Sequence, residues 1–135
     1  MLGKYSKQIQ QRFRDPKLNL QDLETMLEEY YACMINGSES ENGWPESAYS
    51  VSKASTNALT AILARENPGL VINCCCPGWV NTDMGSLGGS RPPKSPEDGA
   101  KIPIRLGFKD IGRVTGRYLG NPSVADTGDG QVMDW

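Results

Sequence analysis

Histidine is absent from the 135 residues, which removes every serine–histidine and cysteine–histidine nucleophilic scheme within the chain and leaves tyrosine, lysine and carboxylates as candidate proton carriers. Long apolar runs are absent too. Nothing approaches the roughly 20 residues of a membrane span, and Met1-Leu2-Gly3-Lys4-Tyr5-Ser6-Lys7 has no signal-like apolar core, so a cytoplasmic address is the default expectation. Charge of one sign is scarce: the net is −2, acids and bases alternate, and no footprint for nucleic acid or an anionic membrane surface results. Cysteine is limited to four residues. Three of them, Cys74 to Cys76, would alternate faces on a strand and cannot pair there with one another. With Cys33 far away and no histidine to help, a metal site is not expected, and reduced, buried thiols fit best.

What the chain does contain centres on Ala48-Tyr49-Ser50-Val51-Ser52-Lys53. Residues 47–65 are rich in small side chains and form a predicted helix, with Ser47 as N-cap and a stop at Asn67-Pro68-Gly69. On that helix Tyr49 and Lys53 share a face. An ammonium beside the phenol favours its anion and readies Tyr49 to give a proton to a developing alkoxide. The spacing alone recurs by chance, so its surroundings must carry the argument. Residues 70–76 form an apolar run without alternation, as in a strand buried on both faces of a parallel sheet. Pro77-Gly78-Trp79-Val80-Asn81-Thr82-Asp83-Met84 follows at the strand end where open α/β sheets bind ligands. The plain alternative for Pro77-Gly78 is an ordinary strand-exit turn.

Tyr-x-x-x-Lys, then helix, strand and Pro-Gly-x-Val-x-Thr-Asp-Met, resembles the short-chain dehydrogenase/reductases. Glu41-Asn42-Gly43-Trp44-Pro45, Cys75-Cys76-Pro77-Gly78-Trp79 and Lys94-Ser95-Pro96-Glu97-Asp98-Gly99-Ala100 are similar to the carbonyl reductase branch, and the likeness runs along the whole chain. The resemblance implies an α/β fold: the C-terminal half of a doubly wound, Rossmann-type parallel sheet, in one domain over 1–135, with a helical insertion at 6–35 and a substrate lid and helix at 85–107. It implies reduction of ketones, aldehydes or quinones with NADPH, ahead of NADH. Tyr49 would donate the proton, and Lys53 would assist it and bind the nicotinamide ribose. Pro77, Gly78, Val80, Asn81 and Thr82 would hold the nicotinamide side of the cofactor, with Trp79 and Met84 against the substrate. A partly buried core tryptophan is the plain alternative for Trp79.

The remaining segments fall into place around this stretch. Residues 6–14 suggest a short surface helix, and Asn19 caps an amphipathic helix to about Ile35 whose stripe is Leu20, Leu23, Leu27, Tyr30 and Met34. By the resemblance, this insertion covers a face that other family members use to associate, which implies a monomeric parent enzyme. A docking role on its own domain explains the same stripe. Residues 36–43 form a polar, hinge-like loop, and 85–94 an aperiodic, lid-like one. Ser95-Pro96 starts a helix expected to be interrupted at Pro103 and ended by Gly107. Residues 114–119 suggest an edge strand, 126–130 a turn and 132–135 a tail.

Three features of the family pattern are missing: no glycine-rich strand–turn–helix occurs, and neither the carbonyl-polarising serine nor the structural asparagine is found. The chain thus has the look of a half starting at an internal methionine. The expectation is an oxidoreductase that needs its other half, or alternatively a non-catalytic remnant acting only by binding. Without that half, the strand at 70–76 would expose an apolar edge prone to aggregation.

Overall fold

Each α-helix starts on a side chain that accepts from a first-turn amide: Ser6 from Ile9 (3.3 Å), Asn19 from Asp22 (2.9 Å), Ser47 from Ser50 (3.2 Å) and Ser95 from Asp98 (3.1 Å). These caps set α1 (Lys7–Arg14), α2 (Leu20–Asn36), α3 (Ala48–Glu66) and α4 (Pro96–Phe108). The computed structural model describes residues 2–135, which divide into a unit of residues 2–68 with Trp135 and a unit of residues 69–134.

The first unit is helical and owns the main apolar core. The chain has only ten aromatic residues, and five of them gather here. Trp44 lies 5.4 Å from Tyr30, 6.2 Å from Phe13 and 6.3 Å from Tyr5 between ring centroids, and Trp135 meets Phe13 at 6.2 Å. Leu23, Met26, Val51, Ala54, Ala58 and Ile62 fill the space against α2 and α3. The α2 stripe is narrower than its sequence suggests, since Leu20 and Met34 stay exposed while Met26 takes a core position. Gly37 ends α2 in the left-handed region at φ 64°, where its amide donates to Met34 and that of Ser38 to Cys33. The expected hinge after it is a bonded turn: the Trp44 amide donates to Glu39, and that of Ser6 donates to Gly43.

The second unit is built on a small mixed sheet. β1 (Cys74–Cys75) runs parallel to β2 (Tyr118–Gly120), and β2 runs antiparallel to β3 (Gln131–Met133). Five expectations change here. The buried strand at 70–76 reduces to β1, which has a ladder partner on one side only among the described residues, and Leu70 and Val71 ahead of it are each 58% exposed. The expected edge strand at 114–119 becomes β2 in the centre, paired on both sides, and the expected tail contributes β3. The cysteines are half-buried rather than interior and form no disulfide among the described residues; burial raises the Cys75 thiol above its usual range. Finally, α4 runs through Pro103 to Phe108. Pro103 removes one ladder donor, but Ile102 is fully buried beside it, and Lys101 and Arg105 tie the flanking turns to the carbonyls of Thr127, Asp129 and Gly130.

Candidate active site

The expected site residues divide between the two units. Tyr49 and Lys53 sit on α3, in the helical unit. One face of that helix, Val51, Ala54, Ser55, Ala58 and Ile62, is locked into the core, so the opposite face is carried on a rigid element. Tyr49 lies on it in the first turn, 72% exposed, and Lys53 places its Nζ 5.5 Å from the centroid of the Tyr49 ring. The i, i+4 spacing read from the sequence therefore becomes a contact, with the cation over the ring face.

Pro77, Gly78, Trp79, Val80, Asn81, Thr82 and Met84 lie in the sheet unit, on the loop leaving β1. Gly78 has φ 86°, and a Cβ added there would fall 2.7 Å from the Val124 carbonyl oxygen, so this turn requires glycine. The loop is held by backbone bonds from the Trp79 amide to Val124 (3.0 Å), from the Lys94 amide to Trp79 (3.2 Å) and from the Asn81 amide to Lys94 (2.8 Å). Val80 bridges Lys94 in parallel. The Val80 carbonyl accepts from Thr82 at 2.9 Å, while no described residue accepts from the Val80 amide. That open donor suits a carboxamide or phosphate oxygen. The Trp79 indole donates to Gly85 at 2.9 Å and the ring is 39% exposed, while Met84 is 80% exposed, so both offer apolar surface to solvent.

Lys94 is the residue sequence reasoning missed. It read as the last position of a mobile lid, yet it is 1% exposed, and Pro92 is buried with it, so the C-terminal end of the 85–94 loop is anchored. Composition gives no sign of this, since lysine is among the residue types least often buried. The one available signal was its place directly before the Ser95 cap, where the chain must turn inward to start α4. Elsewhere, an apolar groove of about 350 Å³ between α2 and α3 is lined by Leu20, Leu23, Leu27, Tyr30, Val51 and Leu59 and contains neither Tyr49 nor Lys53. Among the described residues no helix is long and apolar enough to cross a membrane.

No protein-family model matches the chain. Among curated proteins it is similar to carbonyl reductase [NADPH] 1 of Bos taurus, 39% identical over 111 residues, covering 78% of this chain and 39% of that protein. It is also similar to short-chain dehydrogenase/reductase 1 of Saponaria officinalis, 38% identical over 104 residues, covering 76% of this chain and 33% of that protein. Among solved structures, salutaridine reductase from Papaver somniferum superimposes with a TM-score of 0.74 at 26% identity, over 84% of this chain and 39% of that one. The chain thus spans well under half the length of these relatives.

Proposed function

The chain is related to the short-chain dehydrogenase/reductases, on their carbonyl reductase-like branch, and on that premise we propose that it serves the NADPH-dependent reduction of ketones, aldehydes and quinones. The observation that carries this reading is the exposed Tyr49 with the Lys53 ammonium over its ring, both presented by a helix whose other face is locked in a core. NADPH, when bound, supplies the hydride that reaches the carbonyl carbon. Tyr49 gives its hydroxyl proton to the carbonyl oxygen in the same step, and Lys53 stabilises the charge left on the phenol and hydrogen-bonds the nicotinamide ribose. The loop at 77–82 fits the nicotinamide side of the cofactor through the open Val80 amide and the neighbouring Asn81 and Thr82, with Pro77 and Gly78 setting the turn. Trp79 and Met84 offer apolar surface to an aromatic substrate. By the same reading, the parent enzyme of which this chain would be a part is a cytosolic monomer.

This chain holds no glycine-rich turn ahead of a helix to carry the pyrophosphate. The 135 residues alone are therefore expected to bind NADPH weakly and to reduce no carbonyl substrate measurably. Joined behind the glycine-rich half of a carbonyl reductase, they are expected to oxidise NADPH in the presence of a quinone or aromatic ketone. The exposed Leu70 and Val71 beside a β1 strand paired on one side favour a second reading, a piece that acts only by binding. A folded, joined protein that binds NADPH yet never turns over would select it.

A further inference from the structure

The largest fully buried side chain among the described residues is neither aromatic nor aliphatic: it is Lys94. A buried ammonium is costly unless it is hydrogen-bonded, and here Nζ donates to the Pro77 carbonyl oxygen at 2.6 Å. The same residue reaches the loop twice more through its backbone, donating to Trp79 (3.2 Å) and accepting from Asn81 (2.8 Å). Its stem lies directly against the turn, since a Cβ added to Gly78 would fall 2.9 Å from the Lys94 Cδ. One residue therefore grips alternate positions, 77, 79 and 81, of a loop that has no ladder of its own beyond a single bridge.

We propose that Lys94 is a positioning residue for the nicotinamide-side loop: its ammonium, clasped to the Pro77 carbonyl, fixes the backbone of residues 77–82 in the shape that presents the Val80 amide. The role toward cofactor rests on the reading of that loop given above; the clasp itself rests on geometry alone. The Cys76 amide, donating to Leu119 at 2.9 Å, fixes the chain before the turn, and the bonds at 79 and 81 set register after it, with the left-handed Gly78 between them. Among the described residues, the Lys94 side chain alone donates to the Pro77 carbonyl across that pivot. Neither a shorter donor nor an uncharged stem of equal length reproduces the contact.

The test uses NMR on the 135-residue chain. In the unaltered protein the Lys94 ammonium protons should exchange with water on the order of tenfold more slowly than those of the exposed Lys109, and equal rates would overturn the clasp. In Lys94→Met, which keeps the stem and removes the ammonium, amide exchange at Trp79 and Asn81 should rise about tenfold while Leu119 and Ile102 keep their rates. A uniform rise through the sheet unit, which a merely structural role predicts, or no rise at all, contradicts the proposal. Should Lys94→Met fail to fold, the ammonium measurement on the unaltered chain still decides. Millimolar NADPH should shift the Val80, Asn81 and Thr82 amide resonances in the unaltered chain and markedly less in Lys94→Met, and equal shifts in both would overturn the positioning role. Absence of any shift in the unaltered chain removes the cofactor reading and with it the role toward cofactor, while the exchange rates judge the clasp separately.

Discussion

The helical unit and the sheet unit hold their expected site residues by different means. In the first, Tyr49 and Lys53 stand on a 19-residue helix whose far face is interlocked with an aromatic and aliphatic core. In the second, the strands are two or three residues long, and the 77–84 loop is kept in place by backbone bonds, a left-handed glycine and one buried lysine. Side-chain packing resists single losses in proportion to the volume removed, whereas a bonded loop depends on a few individual donors. The proton-donating pair should therefore survive small changes around it, and the loop should not.

Four substitutions would break or sharpen that contrast. The largest effect is expected from Trp44→Ala, which empties the centre of the aromatic cluster and should cost about 3–5 kcal/mol in urea unfolding followed by helical circular dichroism. Next is an alkaline effect in the same core. The Tyr5 hydroxyl is buried without a hydrogen-bond partner among the described residues, and burial, helped by the neighbouring Tyr30, pushes its pKa up to about 12. A raised folded-state value means that stability is fully present below the unfolded tyrosine range near ~10 and is lost as pH climbs toward 12, by roughly 2–3 kcal/mol. Tyr5→Phe should remove most of that alkaline loss, and an unchanged alkaline transition would show that another group drives it.

In the sheet unit, Gly99→Ala would place a Cβ 2.5 Å from a Val80 methyl. It should cost about 1–3 kcal/mol and shift the Val80 and Asn81 resonances before those of β2, because the loop is the part able to give way. The smallest effect belongs to the half-exposed Arg12–Glu29 pair joining α1 to α2. The hydrogen bond and charge of Arg12 hold the Glu29 carboxyl below its ordinary range, so the pair contributes above that range and is lost as pH falls through it. Glu29→Gln should cost only ~0.2–1 kcal/mol at neutral pH, and less in high salt.

The same division governs how much of the molecule the sequence disclosed. Helix starts were legible at Asn19, Ser47 and Ser95 because a cap is a local event, complete within three residues. Tyr49 and Lys53 were legible for the same reason, their contact being one helical turn long. The sheet was not. β1 finds its partner more than 40 residues away, and the centre of the sheet is set by which strand has neighbours on both sides, a property no local pattern encodes. The unbroken apolar run at 70–76 signalled burial on two faces, but exposure at Leu70 and Val71 depends on what covers them, not on their own character. Lys94 was illegible on the opposite ground: its type signals exposure, and only the carbonyl waiting at Pro77 reverses that.

The central claim is that Tyr49 gives the proton while the loop beyond β1 holds the nicotinamide side of the cofactor, so that removing the phenol leaves cofactor binding in place. The most direct measurement compares the joined protein with its Tyr49→Phe variant, assaying quinone-dependent NADPH oxidation alongside NADPH affinity by calorimetry. The expected result is turnover reduced by a factor of about 10²–10⁴ with NADPH affinity nearly unchanged. Turnover that persists in the phenylalanine variant would contradict the account.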